Sequence, residues 1–302
     1  MEMKIRIGFG LGTQTAAGNS TEFSQIVDDL ERMGFDSLWL SERVNGPAPD
    51  PLVAMTWAAA RTERIKIGTA VMVLPGRNPV LLAKAIASLD VLSNGRVLPA
   101  FGLGIADTAE QAAFGVQRGD RAAWFNEALP LLRRLWEEDE VTHEGERFSI
   151  PSAKVRPKPI QDPIEVWLGG QAPSELKRAG RYGDGWLPSF ATPEDVATGI
   201  ETVNRHAAEV GRHIDDEHFG VLVAYTDENT PLLPRLQAIV EKRNPGLDPR
   251  EVIPAGREGV RDKIKQFIDV GASKFVVMAL NEPSEWTAEL GLLAEDLLPL
   301  EN

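Results

Sequence analysis

The chain has 302 residues, 43% of them hydrophobic and 25% charged, with a formal net charge of −13 and no cysteine. The missing cysteine excludes disulfides, thiolate nucleophiles, iron–sulfur clusters and thiolate zinc sites, and the negative charge argues against binding nucleic acid, which needs a positive field. Residues 1–30 hold no basic stretch followed by an apolar run, and no window approaches ~18 uninterrupted apolar residues, so a cytoplasmic protein without a membrane partner is expected.

The chain opens with "KIRIGFGLG", a strand running into a glycine-rich loop. "NSTEFSQIVDDLERMGF" follows, with Ser20 or Thr21 as the expected N-cap and Phe23, Ile26, Val27 and Leu30 on one helical face. "DSLWL" is a second strand, and "DPLVAMTWAAARTE" is a helix opened by Asp50 and a first-turn proline, Pro51. "IKIGTAVMVL" reads as a third strand, "NPVLLAKAIASLDVLSNG" as a helix that stops at Asn94-Gly95, and "RVLPAFGLG" as a fourth strand.

The rhythm breaks between Asp107 and Gln161. A long amphipathic helix, "RAAWFNEALPLLRRLWEEDE", precedes a short hairpin, "VTHEGERFSI", and the proline-rich "PSAKVRPKPIQDP". Strand–helix alternation then resumes with strands at "IEVWLGG", "DGWLPS", "EHFGVLVAYT" and "SKFVVMAL", and "EWTAELGLLAEDLLPLE" closes the chain as a helix. Alternating units of this kind imply parallel strands with right-handed crossovers. Eight strands without a break in composition predict a single α/β domain over 1–302, a (β/α)8 TIM-like barrel whose main insertion, about 107–161, follows strand four.

In such barrels the chemistry sits at the carboxyl ends of the strands. Strand two ends on Glu42 and Arg43, either a mutual ion pair or the lining of a ligand pocket. Strand four ends on "GLGIAD", which carries Gly102 and Gly104 and delivers Asp107. Strand five ends on Gly169-Gly170-Gln171 just before a helix start, where backbone N–H groups make an anion site suited to phosphate, although Gly-Gly is also common in plain turns. In strand six, Asp184 and Trp186 read equally well as barrel packing. The glycine runs lack the third glycine of a dinucleotide fingerprint, there is no serine elbow, and His143, His206, His213 and His218 have no metal-ligand spacing.

Taken together, "GFDSLWLSERV", "TERIKIGTAVMVLPGRNPVLLAKAIASLDVLSNGRV", "PAFGLGIA", "RPKPIQDPIEVWLGG", "RAGRYGDGWLPS" and "DVGASKFVV" resemble the bacterial luciferase-like flavin and deazaflavin oxidoreductases, in order and over nearly the whole chain. The resemblance implies a TIM-like barrel that binds coenzyme F420 or FMN, with the deazaflavin subgroup the better match. It implies a ring lying over the end of strand three, backed by a non-prolyl cis peptide that maps to Ala70-Val71, with Gly102 and Gly104 alongside. It places the cofactor phosphate at Gly169, Gly170 and Gln171, borders the ring with Glu42 and Arg43, and implies a homodimer, here expected through helices two and three with small residues such as Ala58, Ala59 and Ala60.

The chain departs from the family in one respect. Many deazaflavin members carry an acidic residue followed by histidine at the end of strand two, and Arg43 stands where that histidine would be. An arginine stays protonated and cannot act as a general base, but it can clamp an anionic ring or substrate. Asp107 is then the expected proton donor or acceptor. The function expected is F420-dependent hydride transfer to or from a small organic substrate. Three alternatives stand beside it: an FMN monooxygenase using reduced flavin and dioxygen, a flavin-binding barrel without catalysis, and a hydrolase pairing Glu42 with Asp107. The pocket walls are expected mostly in the insertion and in the first loop, residues 10–20.

Overall fold

A computed structural model describes residues 3–14 and 19–302. Its first element, β1 (Arg6–Leu11), lies buried on both faces, as a parallel strand covered by helices must be. Helix α1 (Ser20–Met33) is capped by Asn19, not by Ser20 or Thr21: the Asn19 carboxamide oxygen accepts the N–H groups of Thr21 and Glu22. The predicted face of Phe23, Ile26, Val27 and Leu30 is buried, and Gly34, at φ 99°, ends the helix in the left-handed region.

Strand β2 (Ser37–Leu40) leads to α2 (Pro51–Arg61), whose Asp50 cap and first-turn proline are as the sequence predicts. The third strand is divided into β3 (Lys66–Thr69) and β4 (Met72–Val73) by the cis peptide Ala70–Val71. Helix α3 (Pro79–Leu92), capped by Asn78, ends at Asn94 and Gly95, both with positive φ. The fourth strand is also divided, at Pro99, into β5 (Val97–Leu98) and β6 (Ala100–Gly102).

The insertion holds α4 (Thr108–Phe114), α5 (Arg121–Glu137) and the hairpin β7 (Val141–Glu144) with β8 (Ser149–Ala153). Its extended tail contains two cis prolines, Pro157 and Pro163. The remaining elements are β9 (Trp167–Leu168), α6 (Pro173–Tyr182), β10 (Gly185–Trp186), α7 (Pro193–Ala208), β11 (Gly220–Tyr225), α8 (Pro234–Arg243), α9 (Gly256–Asp269), β12 (Lys274–Ala279) and α10 (Trp286–Leu297).

All the barrel pairings are parallel. One sheet runs β11–β12–β1–β2–β3–β5, and the second runs β10–β9–β6–β4. The chain carries the first into the second at the breaks in strands three and four. Parallel bridges from Trp186 to Phe219 and from Ser189 to Leu222 join the sixth strand position to the seventh. The architecture is the expected TIM-like (β/α)8 barrel, with the insertion after strand four.

The interior is filled by large aromatic groups above glycines. Trp39 and Trp167 meet edge to face at 6.1 Å and 75°, among Leu98, Ala100, Leu187, Leu222, Ala224 and Val276. A Cβ on Gly185 would stand 2.4 Å from Trp167, and one on Gly68 would stand 2.8 Å from Trp39, so the indoles occupy the space that those positions leave empty. A second, larger apolar layer lies between strands and helices.

Two of the motifs that carry the family resemblance are framework. In "LDVLSNGRV", the buried Asp90 carboxylate accepts the N–H groups of Ile160 and Gln161 and the Gln161 amide, pinning the end of the insertion to α3. In "RYGDGWLPS", Asp184 pairs with Arg133 at 2.6 Å and Arg212 at 2.8 Å and accepts the Val166 N–H, fixing α5 and the loop after α7 to strand five. Among the described residues, no helix is long and apolar enough to cross a membrane.

Candidate active site

A cavity of about 910 Å3 opens at the carboxyl ends of the strands. It lies within the size range of sites that enclose a small molecule or cofactor (about 300–1,000 Å3). Its walls come from the ends of strands two to seven, from α4 and the start of α5, and from α6, α7 and the end of α8.

Strand two delivers Ser41, Glu42 and Arg43 to this cavity, but the two charges do not pair with each other. The Ser41 hydroxyl donates to the Ala70 carbonyl at 3.1 Å, holding the cis peptide from the neighbouring strand. The Glu42 carboxylate is buried; it accepts the Val73 N–H at 2.6 Å and forms an ion pair with Arg77. Burial pushes the Glu42 carboxyl above the usual carboxylate range, against the pull of the Arg77 guanidinium. Arg43 contacts Glu110 of α4 through a single 3.4 Å approach and remains partly exposed to the cavity. Glu110, itself buried, also accepts the N–H groups of Val44 and Asn45, so it ties the loop after strand two to the insertion.

The wall behind strand three is apolar and nearly free of projecting side chains. Ala70 and Val71 line it beside Gly102 and Gly169. A Cβ on Gly102 would lie 2.6 Å from Val71 Cγ2, and one on Gly169 would lie 3.4 Å from Val71 Cγ1, so both glycines lie against the Val71 side chain. Gly104, at φ 76°, also lines the cavity. One nitrogen of the buried Arg121 donates to the carbonyls of Leu103, Gly104 and Ile105, shaping the loop after strand four. Asp107 is the N-cap of α4: its Oδ1 accepts from Ala109 and Glu110, and it is not among the cavity-lining residues.

At strand five, Gly169, Gly170 and Gln171 line the cavity as predicted. The Trp186 indole N–H donates to the Gly170 carbonyl at 2.8 Å and anchors the turn. The indole is admitted by Gly199 of α7, where a Cβ would stand 2.1 Å from the ring. The amides of Gln171 and Ala172 are not free, however. Both donate to one oxygen of Glu175, a residue of α6.

The sequence profile of the family described as "Luciferase-like monooxygenase" matches residues 1–230. This chain belongs to the luciferase-like monooxygenase family. It is 31% identical over 269 residues to a protein of Kineococcus radiotolerans named F420-dependent glucose-6-phosphate dehydrogenase, an alignment covering 82% of this chain and 78% of that one. Among solved structures, an F420-dependent secondary alcohol dehydrogenase in complex with an F420–acetone adduct superposes with a TM-score of 0.81 at 22% identity, covering 99% of this chain and all (100%) of the other. The oxygenating constituent of the Pseudomonas putida 3,6-diketocamphane monooxygenase, in complex with FMN, superposes with a TM-score of 0.78 at 18% identity and 99% coverage of both chains.

Within this luciferase-like barrel, the structure brings together Glu42, Arg43, Ala70, Val71, Gly102, Gly104, Gly169, Gly170 and Gln171, and leaves Asp107 outside the wall. The insertion contributes Glu110, Gln111, Phe114, Val116, Arg121 and Phe125, but its hairpin stands apart, with His143 bound to Glu127 at 3.1 Å. The first loop contributes Thr13, and its residues 15–18 lie outside the described residues. No histidine lines the cavity among the described residues. Sequence reasoning missed Ser41, Glu110, Arg121, Glu175 and Arg178. Only Glu175 gave a local signal, as the third residue of a helix opening with Ala172-Pro173.

Proposed function

We propose that this luciferase-like chain is an F420-dependent oxidoreductase acting on a small organic substrate. The observation that carries the reading is the smooth wall of Ala70, Val71, Gly102 and Gly169, in a cavity large enough for a ring cofactor. The name of the Kineococcus relative supports the deazaflavin. The residues fit such a group: an apolar plate for a flat ring, a helix start at strand five whose backbone donors, held here by Glu175, suit a phosphate, and arginines for its anionic tail. When bound, the deazaflavin supplies the hydride chemistry.

The residues of this chain do the rest. Ser41 and Glu42 hold the Val71 plate by its flanking backbone groups, Ala70 O and Val73 N–H. Arg43 presents a guanidinium with donors to spare to an anionic ring or substrate. Arg121 fixes the loop after strand four through the carbonyls of Leu103, Gly104 and Ile105, beside Gly102, which packs against the Val71 plate with no side chain of its own. The proton-transfer role expected of Asp107 is not carried over, because that carboxylate caps α4 away from the wall.

The FMN-bound neighbour supports a second reading, a monooxygenase using reduced flavin and dioxygen. Titrating the protein with F420, and separately with FMN, while following ring fluorescence distinguishes the two. Tight binding of F420 is expected, and Arg43→Ala should weaken it by about tenfold, the loss of one charge-assisted contact. Binding of FMN alone would replace the first reading with the second, and tight binding of neither would overturn both. Binding without turnover of any alcohol or carbonyl substrate would leave a flavin-binding barrel.

The reading includes a cytoplasmic homodimer. Helices α2 and α3 expose Val53, Trp57, Leu81 and Leu92, apolar groups suited to a subunit interface. Ala58 and Ala59 face the core, so they do not form that surface. Light scattering is expected to give twice the chain mass, and Leu81→Glu with Leu92→Glu is expected to give the monomer; a monomeric parent protein would refute it.

A further inference from the structure

The strand-five turn and the start of α6 have the form of an anion site, yet an anion of the chain itself fills it. Glu175 Oε2 accepts the N–H groups of Gln171 and Ala172, each at 3.0 Å. Gly170 makes room for that oxygen, which a Cβ there would approach to 2.4 Å. One helical turn further along α6, Arg178 lines the same cavity and is only 9% exposed. Its Nε donates to Asn126 Oδ1 at 2.9 Å, and its face lies over the Phe125 ring. Among the described residues, no group accepts from its two terminal nitrogens.

The side chain is nine-tenths buried, but its terminal nitrogens are not among the buried unpaired atoms: the head opens into the cavity and offers unused donors to an anion there. Glu175 does not reach it at ion-pair distance in this structure, although its charge partly offsets the burial of Arg178. Arg243, from the end of α8, stands on the same wall, donates to the Ser189 carbonyl at 3.0 Å, and also lies in the field of Glu175. One carboxylate thus sits among two amides and two arginines without satisfying either arginine.

We infer that Glu175 is a displaceable internal occupant of a phosphate subsite. A phosphate-class dianion takes the amides of Gln171 and Ala172 and the head of Arg178, and the Glu175 carboxylate swings out toward Arg243. The identity of the molecule that carries the phosphate, the cofactor or a phosphorylated substrate, rests on the function proposed above; the subsite itself does not. The carboxylate competes with the ligand for the same donors and repels it, so it lowers affinity for anions and favours their release.

Glu175→Gln separates charge from capping, because glutamine can accept the same helix N–H groups while carrying no charge. In calorimetric titration with inorganic phosphate, this variant should bind about tenfold tighter than the parent, from relief of like-charge repulsion. Adding Arg178→Met to Glu175→Gln should remove the gain, while Arg178→Lys should keep part of it; thermal melts confirm that each variant is folded. The preference for FMN over riboflavin should widen by a similar factor in Glu175→Gln. Phosphate that competes with FMN assigns the subsite to the cofactor, and phosphate that binds beside FMN assigns it to a phosphorylated substrate; both uphold the subsite.

Equal phosphate affinity in parent and Glu175→Gln, or no phosphate binding by either, overturns the inference. Loss of all F420 and FMN binding alongside a retained phosphate gain would refute the proposed function and leave the subsite standing.

Discussion

Replacing Arg96 with methionine should lower the unfolding free energy by about 4 kcal/mol, the cost of orphaning several buried acceptors at once. All five N–H groups of this buried guanidinium are used. Nε donates to Ser93 O, one terminal nitrogen to Thr62 Oγ1 and Ile65 O, and the other to Ala59 O and Thr62 O, at 2.7–3.0 Å. Those carbonyls come from the last turn of α2, the entry to β3 and the loop after α3, so one side chain closes three segments around strand three. Four backbone oxygens would be left facing an apolar group of similar length. Lysine keeps the charge but cannot reproduce the planar fork, so Arg96→Lys should recover only part of the loss. Urea denaturation measures both variants, and a Met variant within about 1 kcal/mol of the parent would show that the acceptors find other donors.

The second large effect is expected at Glu42. Glu42→Ala removes the acceptor of the Val73 N–H and leaves Arg77, whose side chain also donates to the Val73 carbonyl, with only a 4.0 Å approach to the exposed Asp50 carboxylate. Breaking a buried pair by deleting one partner costs about 3 kcal/mol. Here the cost falls on the segment that carries Val71, so ring binding should weaken by about a hundredfold if that plate seats the ring, in addition to the loss in stability. Glu42→Gln keeps an oxygen for Val73 and should fall between. Combining Glu42→Gln with Arg77→Met should restore stability relative to Glu42→Gln alone, since no unpaired charge then remains. Urea melts and F420 titrations of the set test this; unchanged ring affinity in a folded Glu42→Ala protein would remove Glu42 from the site.

The alternation of strands and helices was legible because each period carries its own local signals. Asp50-Pro51 and Asn78-Pro79 start helices, Asn94-Gly95 stops one, and the apolar strands need no partner to be recognised. Where the reading failed, the deciding partner lay far along the chain. Glu42 and Arg43 are adjacent in sequence, which leaves a mutual pair and a pocket lining equally open; both line the cavity, and what excludes the mutual pair is that their partners Arg77 and Glu110 stand 35 and 67 residues away.

Asp107 read as a carboxylate delivered to the barrel mouth. Its spacing to the first residues of α4 is equally that of a helix cap, and the backbone took it. Gly169-Gly170 marked a turn that does line the cavity, but Glu175 is an ordinary capping residue by sequence, and only the fold shows which donors it occupies. Asp90, Arg96 and Asp184 show that recognisable family motifs can record how a barrel is held together as well as what it does.

The two indoles that fill the barrel give the protein an optical property. Trp39 and Trp167 pack in the same apolar cluster as Ala70 and Val71, and Trp186 lines the cavity itself. A chromophore resting on the Val71 plate would lie within a few side-chain diameters of three of the seven tryptophans. Their ultraviolet emission would pass to such a ring by resonance transfer, so intrinsic fluorescence would report its arrival with no added label. It would do so even for a ring that the protein binds but does not turn over.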